Sequence, residues 1–288
     1  VDFLGLSFVR SADEVRELKE LVAGQPTSPQ VVAKIEKPEA LDRLDEIALA
    51  ADAVMVARGD LGVEIDIAEV PVVQKRIVQT CRRQRKPVII ATQMLDSMQR
   101  SRLPTRAEAT DVANAILDGA DACMLSGETA IGDYPRESVE MMHRIAMATE
   151  GLTKGRPAEP TTTAPADAEN AITEATTFAA GQLAEQIEAE ILIVASASGQ
   201  TALTVSKHRR RVQVVGSSDS EATLRKMCLY WGVAPLAGAP VDGGKLLEFV
   251  VERGKKAGHL SPGDKVVLVA GTGLSTTRHN QIVVHLIE

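Results

Sequence analysis

In the first half of the chain, short apolar runs end in polar residues, and a helical pattern follows. The runs are Phe3–Phe8, Val31–Ile35, Ala53–Ala57, Val88–Ala91 and Ala122–Leu125. Each reads as a strand. Ser11-Ala-Asp-Glu14 has the form of a capping box, a hydroxyl and a carboxylate that satisfy each other's backbone amides at a helix start. Val15, Leu18 and Val22 follow at helical spacing before Gly24. A second box, Thr105-Arg-Ala-Glu108, predicts a helix with Val112, Ala113 and Ile116 on one face. Strands alternating with helices predict a parallel sheet.

Residues 156–169 are rich in Pro, Thr and Ala and follow neither a helical nor a strand period, as expected of a linker or exposed loop. A second β/α region comes after it. A helix is expected over about 171–187, a strand over Ile191–Ala195, a helix after Gly199 and a strand over Gln213–Val215. A final pair includes Val266–Ala270 and Ile282–Ile287. The expected division is therefore 1–155, a linker 156–169, and 170–288.

Composition narrows this picture. Of the 288 residues 44% are hydrophobic but only 2% aromatic, so the core is built from branched aliphatics, Ala and Met, which suits β/α layers. The formal net charge of −7 disfavours a nucleic-acid partner, because neutralising phosphates takes a basic face. Cys81, Cys123 and Cys228 lie far apart, and reduced thiols in a cytoplasmic protein are expected. No apolar run approaches a membrane helix, and no signal peptide is expected. The chain opens at Val1, without Met and inside an apparent strand, so upstream sequence is expected.

Candidate chemistry collects where the first-half strands end. The residues are Ser7 and Arg10, Lys34 and Glu36, Arg58 and Asp60, Thr92 and Gln93, and Ser126 and Glu128. In a β/α barrel such ends form one catalytic rim. Lys34 and Glu36, two apart on a strand, share a face. The lysine offers a point charge for phosphate and the glutamate a hard ligand for a divalent cation. A structural ion pair explains the triplet equally well. Arg58 and Asp60 flank Gly59, whose backbone a ligand can approach closely, and Asp60 is a second candidate metal ligand. Thr92 is placed to hydrogen-bond a substrate carboxylate, and Ser126 with Glu128 to support a proton relay. Simple strand-end capping is the alternative for these three.

Five strings then stand in series: Lys34-Ile-Glu36, Ala57-Arg-Gly-Asp-Leu-Gly62, Ala91-Thr-Gln-Met94, Pro104-Thr-Arg-Ala-Glu108 and Met124-Leu-Ser-Gly-Glu-Thr-Ala130. Each is weakly specific alone, but in this order and spacing they closely resemble the pyruvate kinase family. The resemblance implies part of a (β/α)8 TIM barrel, about five βα units, followed by a C-terminal α/β effector-type domain. It implies transfer of a phosphoryl group between phosphoenolpyruvate and ADP, giving pyruvate and ATP, in the cytoplasm. By the resemblance Lys34 stabilises the phosphoryl group in transfer, and Glu36 and Asp60 hold Mg2+ or Mn2+. Gly59 donates to the substrate carboxylate, with Arg58, Asp60 and Thr92 lining the substrate, and Ser126 and Glu128 lie on the proton-transfer side. The family's K+ ligands, a further arginine and the lid over the nucleotide would lie outside this chain. The chain by itself is therefore expected to lack activity. A homo-oligomer is implied, a tetramer in the family, with Arg106 near a subunit contact.

In the second region Ser196, Ser198, Gly199, Gln200 and Thr201 form a Ser/Gly turn between a strand and a helix, a place where backbone amides and hydroxyls bind phosphate readily. The resemblance implies a sugar-phosphate or nucleotide effector there. The loop Gly271–Thr277 and the basic run Lys207–Arg211 are candidate walls of the same pocket, the run alternatively being a solvated helix end. Ordinary βα turns remain the plain alternative. The five histidines show no metal spacing, so surface or packing roles are expected. Two other function classes stay open: a metal-dependent lyase of the phosphoenolpyruvate/pyruvate type, and a non-catalytic chain that binds a phosphorylated effector.

Overall fold

The computed structural model describes residues 1–25, 29–152, 168–240, 242–271 and 279–288. The chain forms two compact units, Val1–Pro157 and Ala158–Glu288. Residues 156–167 of the expected linker, and 272–277 of the expected late loop, lie outside the described residues.

In the first unit β1 (Phe3–Leu6) leads to α1 (Ala12–Val22) and then β2 (Gln30–Ile35). Next come α2 (Pro38–Asp42), α3 (Leu44–Ala50), β3 (Ala53–Ala57), α4 (Arg58–Glu64) and α5 (Val70–Arg83). β4 (Val88–Ala91), α6 (Arg106–Asp118), β5 (Ala122–Met124), α7 (Gly127–Ala130) and α8 (Pro135–Leu152) complete it. The five strands pair in chain order, all parallel. This is the expected run of barrel βα units. β2 and β3 are buried on both faces, which is why they read as unbroken aliphatic runs rather than alternating ones.

Both expected capping boxes form. The Glu14 amide donates to Ser11 Oγ at 3.5 Å, while the Glu14 carboxylate takes the Arg10 and Ser11 amides. Two strand ends differ from the sequence reading. β1 stops at Leu6 because Phe8 adopts a left-handed φ of 56° and turns its amide away from the ladder. β5 stops at Met124, before Leu125.

The second unit opens with α9 (Ala168–Gln186), then β6 (Ile191–Ala195), α10 (Gln200–Lys207), β7 (Gln213–Ser217) and α11 (Glu221–Met227). It continues with β8 (Val233–Leu236), α12 (Gly243–Ala257), β9 (Lys265–Ala270) and β10 (Gln281–Leu286). The sheet order is β10-β9-β6-β7-β8, with β10 antiparallel to β9 and the other pairs parallel. β8 escaped the sequence reading because it is short and holds Pro235, which a sheet tolerates at its edge, where β8 lies. No helix among the described residues is long and apolar enough to cross a membrane.

Most of the basic run Lys207–Arg211 is not solvated, although Arg211 at its end is exposed. Lys207, His208 and Arg210 are buried. His208 meets the Phe178 ring edge-on and pairs with Glu174 at 3.0 Å. Arg210 lies over the other part of that aromatic contact, 4.6 Å from the Phe178 centroid, and pairs with Glu185 at 2.7 Å. The run is what seats α9 on the sheet.

Glu108 ties α6 to the loop after β4. It accepts from Ser97 N (2.7 Å), Ser97 Oγ (2.6 Å), Thr105 N (2.7 Å) and Thr105 Oγ1 (2.8 Å). Burial alone would raise this carboxyl, but the hydrogen bonds from Ser97 and then Thr105 outweigh it and hold it below the usual carboxylate range. Glu108→Gln is expected to cost about 1–3 kcal/mol near neutral pH. A depressed carboxyl contributes stability above the unfolded value of about 4.3 and loses it as pH falls through the folded value. Urea unfolding at neutral pH and at about pH 3, well under the unfolded value, should show the gap between wild type and variant narrowing. A gap of equal size at both would overturn the assignment.

Candidate functional site

The tips of β1 and β2 converge on one buried carboxylate. Glu36 follows the last residue of β2 and its side chain is only 1% exposed. Its Oε2 accepts from the Phe8 amide at 2.6 Å, and the left-handed turn at Phe8 is what aims that amide. Lys34, two residues earlier on the same face, places Nζ 2.6 Å from Glu36 Oε1 and donates to Ser7 Oγ at 2.8 Å. The ammonium is thus located by groups on two strands. Glu36 Oε1 accepts no aligned hydrogen bond and is held by the Lys34 charge instead.

Asp60 stands exposed in the first turn of α4. Gly59, just before it, donates its amide to Thr92 Oγ1 at 2.8 Å, and Thr92 Oγ1 donates to the Ala91 carbonyl at 2.7 Å. The Gly59 amide and the Thr92 hydroxyl, both expected to face a substrate carboxylate, here satisfy each other. Thr92 and Gln93 have φ of 69° and 54°. Two consecutive non-glycine residues in the left-handed region, one of them β-branched, carry strain of roughly 1–3 kcal/mol each. Arg58 holds this kink: its Nη2 donates to the Thr92 carbonyl at 2.8 Å, and its Nη1 pairs with Asp111 Oδ1 at 2.7 Å. Arg58 is therefore engaged within the protein, by a partner on α6 that the sequence reading did not identify.

Glu128 is also buried at 1% exposure. Its two oxygens accept the Leu95 amide at 3.0 Å and the Ser126 amide at 2.8 Å. It stitches the loop after β4 to the loop after β5. Cys123 on β5 is not a nucleophile at neutral pH, since burial pushes its thiol up to about 11. Among the described residues no group of three or more His, Cys, Asp or Glu side chains could hold a metal ion. Glu36 and Asp60 are each hard oxygen donors of the type Mg2+ takes.

The second unit presents a separate candidate site. β6 is the first strand of its sheet, and the chain winds outward from it to β7 and β8 on one side and to β9 and β10 on the other. That reversal makes the crevice beyond the carboxyl ends of β6 and β9 the place where such sheets bind ligands. The expected turn lies at this end. Ser196 Oγ accepts the Thr201 amide at 3.2 Å, and Ser198 Oγ accepts the Gln200 amide at 3.4 Å. Gly199 has φ of 86°, and a Cβ there would stand 3.3 Å from Thr223 Cγ2, so both conformation and packing call for glycine. The Ala197 carbonyl is held by Thr223 Oγ1 (3.1 Å) and Ser218 Oγ (3.2 Å), which brace the turn from α11 and the end of β7. Thr201 Oγ1 lies 3.1 Å from His279 Nδ1, and His279 Nε2 meets the Ala195 carbonyl. No spacing in the sequence pointed to His279.

Comparison with known proteins agrees with both halves of this picture. Residues 1–139 match the family model described as pyruvate kinase, barrel domain, and residues 174–285 match the one described as pyruvate kinase, alpha/beta domain. The chain is 45% identical to a pyruvate kinase of Sporosarcina psychrophila over 273 residues, covering 94% of this chain and 46% of that protein. It is 42% identical to a pyruvate kinase of Geobacillus stearothermophilus over 291 residues, covering 100% of this chain and 49% of the relative. A pyruvate kinase of Staphylococcus aureus (strain MRSA252) is 40% identical over 294 residues, with the same shares. The chain spans about half the length of the curated relatives it matches. With its barrel unit and its second α/β unit both matched, the chain belongs to the pyruvate kinase family.

Proposed function

We propose that this chain carries the later barrel residues of a pyruvate kinase, a cytoplasmic glycolytic phosphotransferase that moves a phosphoryl group between phosphoenolpyruvate and ADP to give pyruvate and ATP. The observation that carries the reading is the Lys34–Glu36 pair: an ammonium held between the ends of two strands, 2.6 Å from a buried carboxylate. Phosphoryl transfer asks a protein mainly for positioning and charge neutralisation. Lys34 directs its charge at the phosphoryl oxygens. Glu36 and Asp60 hold Mg2+ or Mn2+, which when bound supplies charge neutralisation at the transferring group and the enolate. Gly59 and Thr92 exchange their mutual hydrogen bond for the substrate carboxylate, with Arg58 keeping the strained Thr92–Gln93 kink in place. Ser126 faces the proton-transfer side and Glu128 fixes its backbone. K+ and the nucleotide lid act from outside this chain, and assembly is as a homo-oligomer, a tetramer. In the second unit Ser196, Ser198, Gly199, Gln200 and Thr201 bind the phosphate of a sugar-phosphate or nucleotide effector.

Three measurements test these assignments. Glu36→Gln and Asp60→Asn should each weaken Mn2+ binding by about tenfold or more in a titration of the chain. Unchanged affinity in both would remove the metal assignment, and the exposed Asp60 gives a variant that does not disturb the core. In a chimera joining the preceding half of the Sporosarcina psychrophila relative to this chain, Lys34→Met should lower kcat for pyruvate formation by about 10³-fold with little change in KM. An effect confined to KM would mean that Lys34 holds only the ground state. For the second unit, Ser198→Asp should abolish the thermal stabilisation given by sugar phosphates, because the introduced carboxylate repels their phosphate. Equal stabilisation of parent and variant would count against the turn.

A further inference from the structure

The effector turn has a donor problem that His279 creates. A phosphate oxygen only accepts hydrogen bonds, so each hydroxyl that is to hold it must have its proton free. The Ala195 carbonyl also only accepts, so His279 Nε2, which faces it, carries a proton. In the neutral ring Nδ1 then bears a lone pair, and Thr201 Oγ1, 3.1 Å away, donates its single proton to it. The Thr201 amide is already engaged by Ser196 Oγ. In this state Thr201 has neither proton to offer a ligand.

We propose that His279 is a binding residue of this turn and couples the uptake of a phosphate-type dianion to the uptake of one proton. The proton enters from solvent at Nδ1. The imidazolium then donates Nδ1–H to Thr201 Oγ1, whose own proton rotates away to the ligand oxygen. The ring also adds a positive charge beside the start of α10, where the helix dipole already favours an anion. This rests on the reading that the Ser196–Thr201 turn takes a phosphorylated ligand, and it gives that site a proton dependence and a preference for dianions.

The surroundings of the ring support this assignment. Burial lowers the His279 value from its ordinary one, and the hydrogen bond to the Ala195 carbonyl offsets only part of that. No ionised side chain of β6, β9 or α10 acts on the ring among the described residues. Arg278, next in sequence, lies outside them. Without ligand the ring is therefore neutral near pH 7, and a bound dianion raises its value. Ligand affinity then rises as pH falls through the raised value of the bound state, by at most about tenfold per pH unit for one coupled proton.

The test uses sulfate, whose charge does not change in this range, followed through the Gly199 and Thr201 amide resonances of the whole chain between about pH 7.5 and 5.5, a span across the histidine range. Wild type should bind about tenfold more tightly at the acid end. His279→Gln keeps a donor for Ala195 and an acceptor for Thr201 but cannot titrate, so its affinity should stay near the wild-type value at pH 7.5 throughout. Because this variant keeps every other titrating group, its slope measures the contribution of the general fall in net negative charge, which is subtracted from that of wild type. In wild type, the His279 ring resonances should titrate at a higher pH with sulfate than without it. Equal pH slopes in wild type and variant, or a His279 titration that sulfate leaves unmoved, would overturn the proposal while leaving the phosphate turn standing. No response of the Gly199 and Thr201 amides to sulfate at any pH would overturn the turn itself and the proposal with it.

Discussion

The first unit is organised around the need to keep one carboxylate charged away from water. Glu36 is buried at the tip of β2, and an uncompensated charge there would be strongly destabilising. Two neighbours prevent that. The Phe8 amide reaches it only because the backbone turns left-handed at Phe8, which ends β1 at Leu6. The Lys34 ammonium reaches it because residues two apart on a strand share a face, and Ser7 holds the same ammonium from β1. The length of one strand, a left-handed residue and the position of a lysine all follow from a single buried acid. A divalent cation placed there would find its carboxylate already oriented.

Strain at the tip of β4 has a similar explanation. Two left-handed non-glycine residues persist only where the surroundings over-determine them. Arg58 does so by gripping the Thr92 carbonyl while Asp111 holds its other arm, and the Gly59 amide fixes the Thr92 hydroxyl. Glu128 then locks the following loop through the Leu95 amide. The rim thus combines rigid, buried anchors with two groups, the Gly59 amide and the Thr92 hydroxyl, that a substrate would only have to redirect.

The second unit solves a different problem. Each hydroxyl of its Ser196–Thr201 turn has structural work in holding a tight turn. Ser196 and Ser198 accept from turn amides, and Thr201 Oγ1 lies 3.1 Å from His279 Nδ1. Cations that look available in the sequence are elsewhere: Arg210 and His208 are consumed in seating α9 against Phe178, Glu185 and Glu174.

The elements written in local spacing were legible in the sequence. Both capping boxes, four of the five barrel-strand starts, the Lys34–Glu36 pairing and the Gly199 turn each depend on residues within a few positions of one another. Family membership was legible for the same reason, since its five strings are short and ordered. The end of β1, the engagement of Arg58, the burial of most of the basic run and the contacts of His279 were not. Each depends on a partner far along the chain: Phe8 with Glu36 across 28 residues, Arg58 with Asp111 across 53, Thr201 with His279 across 78. Periodicity and capping chemistry act within a turn or two of helix or strand, so the sequence alone determined where elements begin and which faces they bury. Which polar groups meet at the strand tips, and which of their protons remain free, was decided only when the two sheets assembled and brought those distant residues within hydrogen-bonding distance.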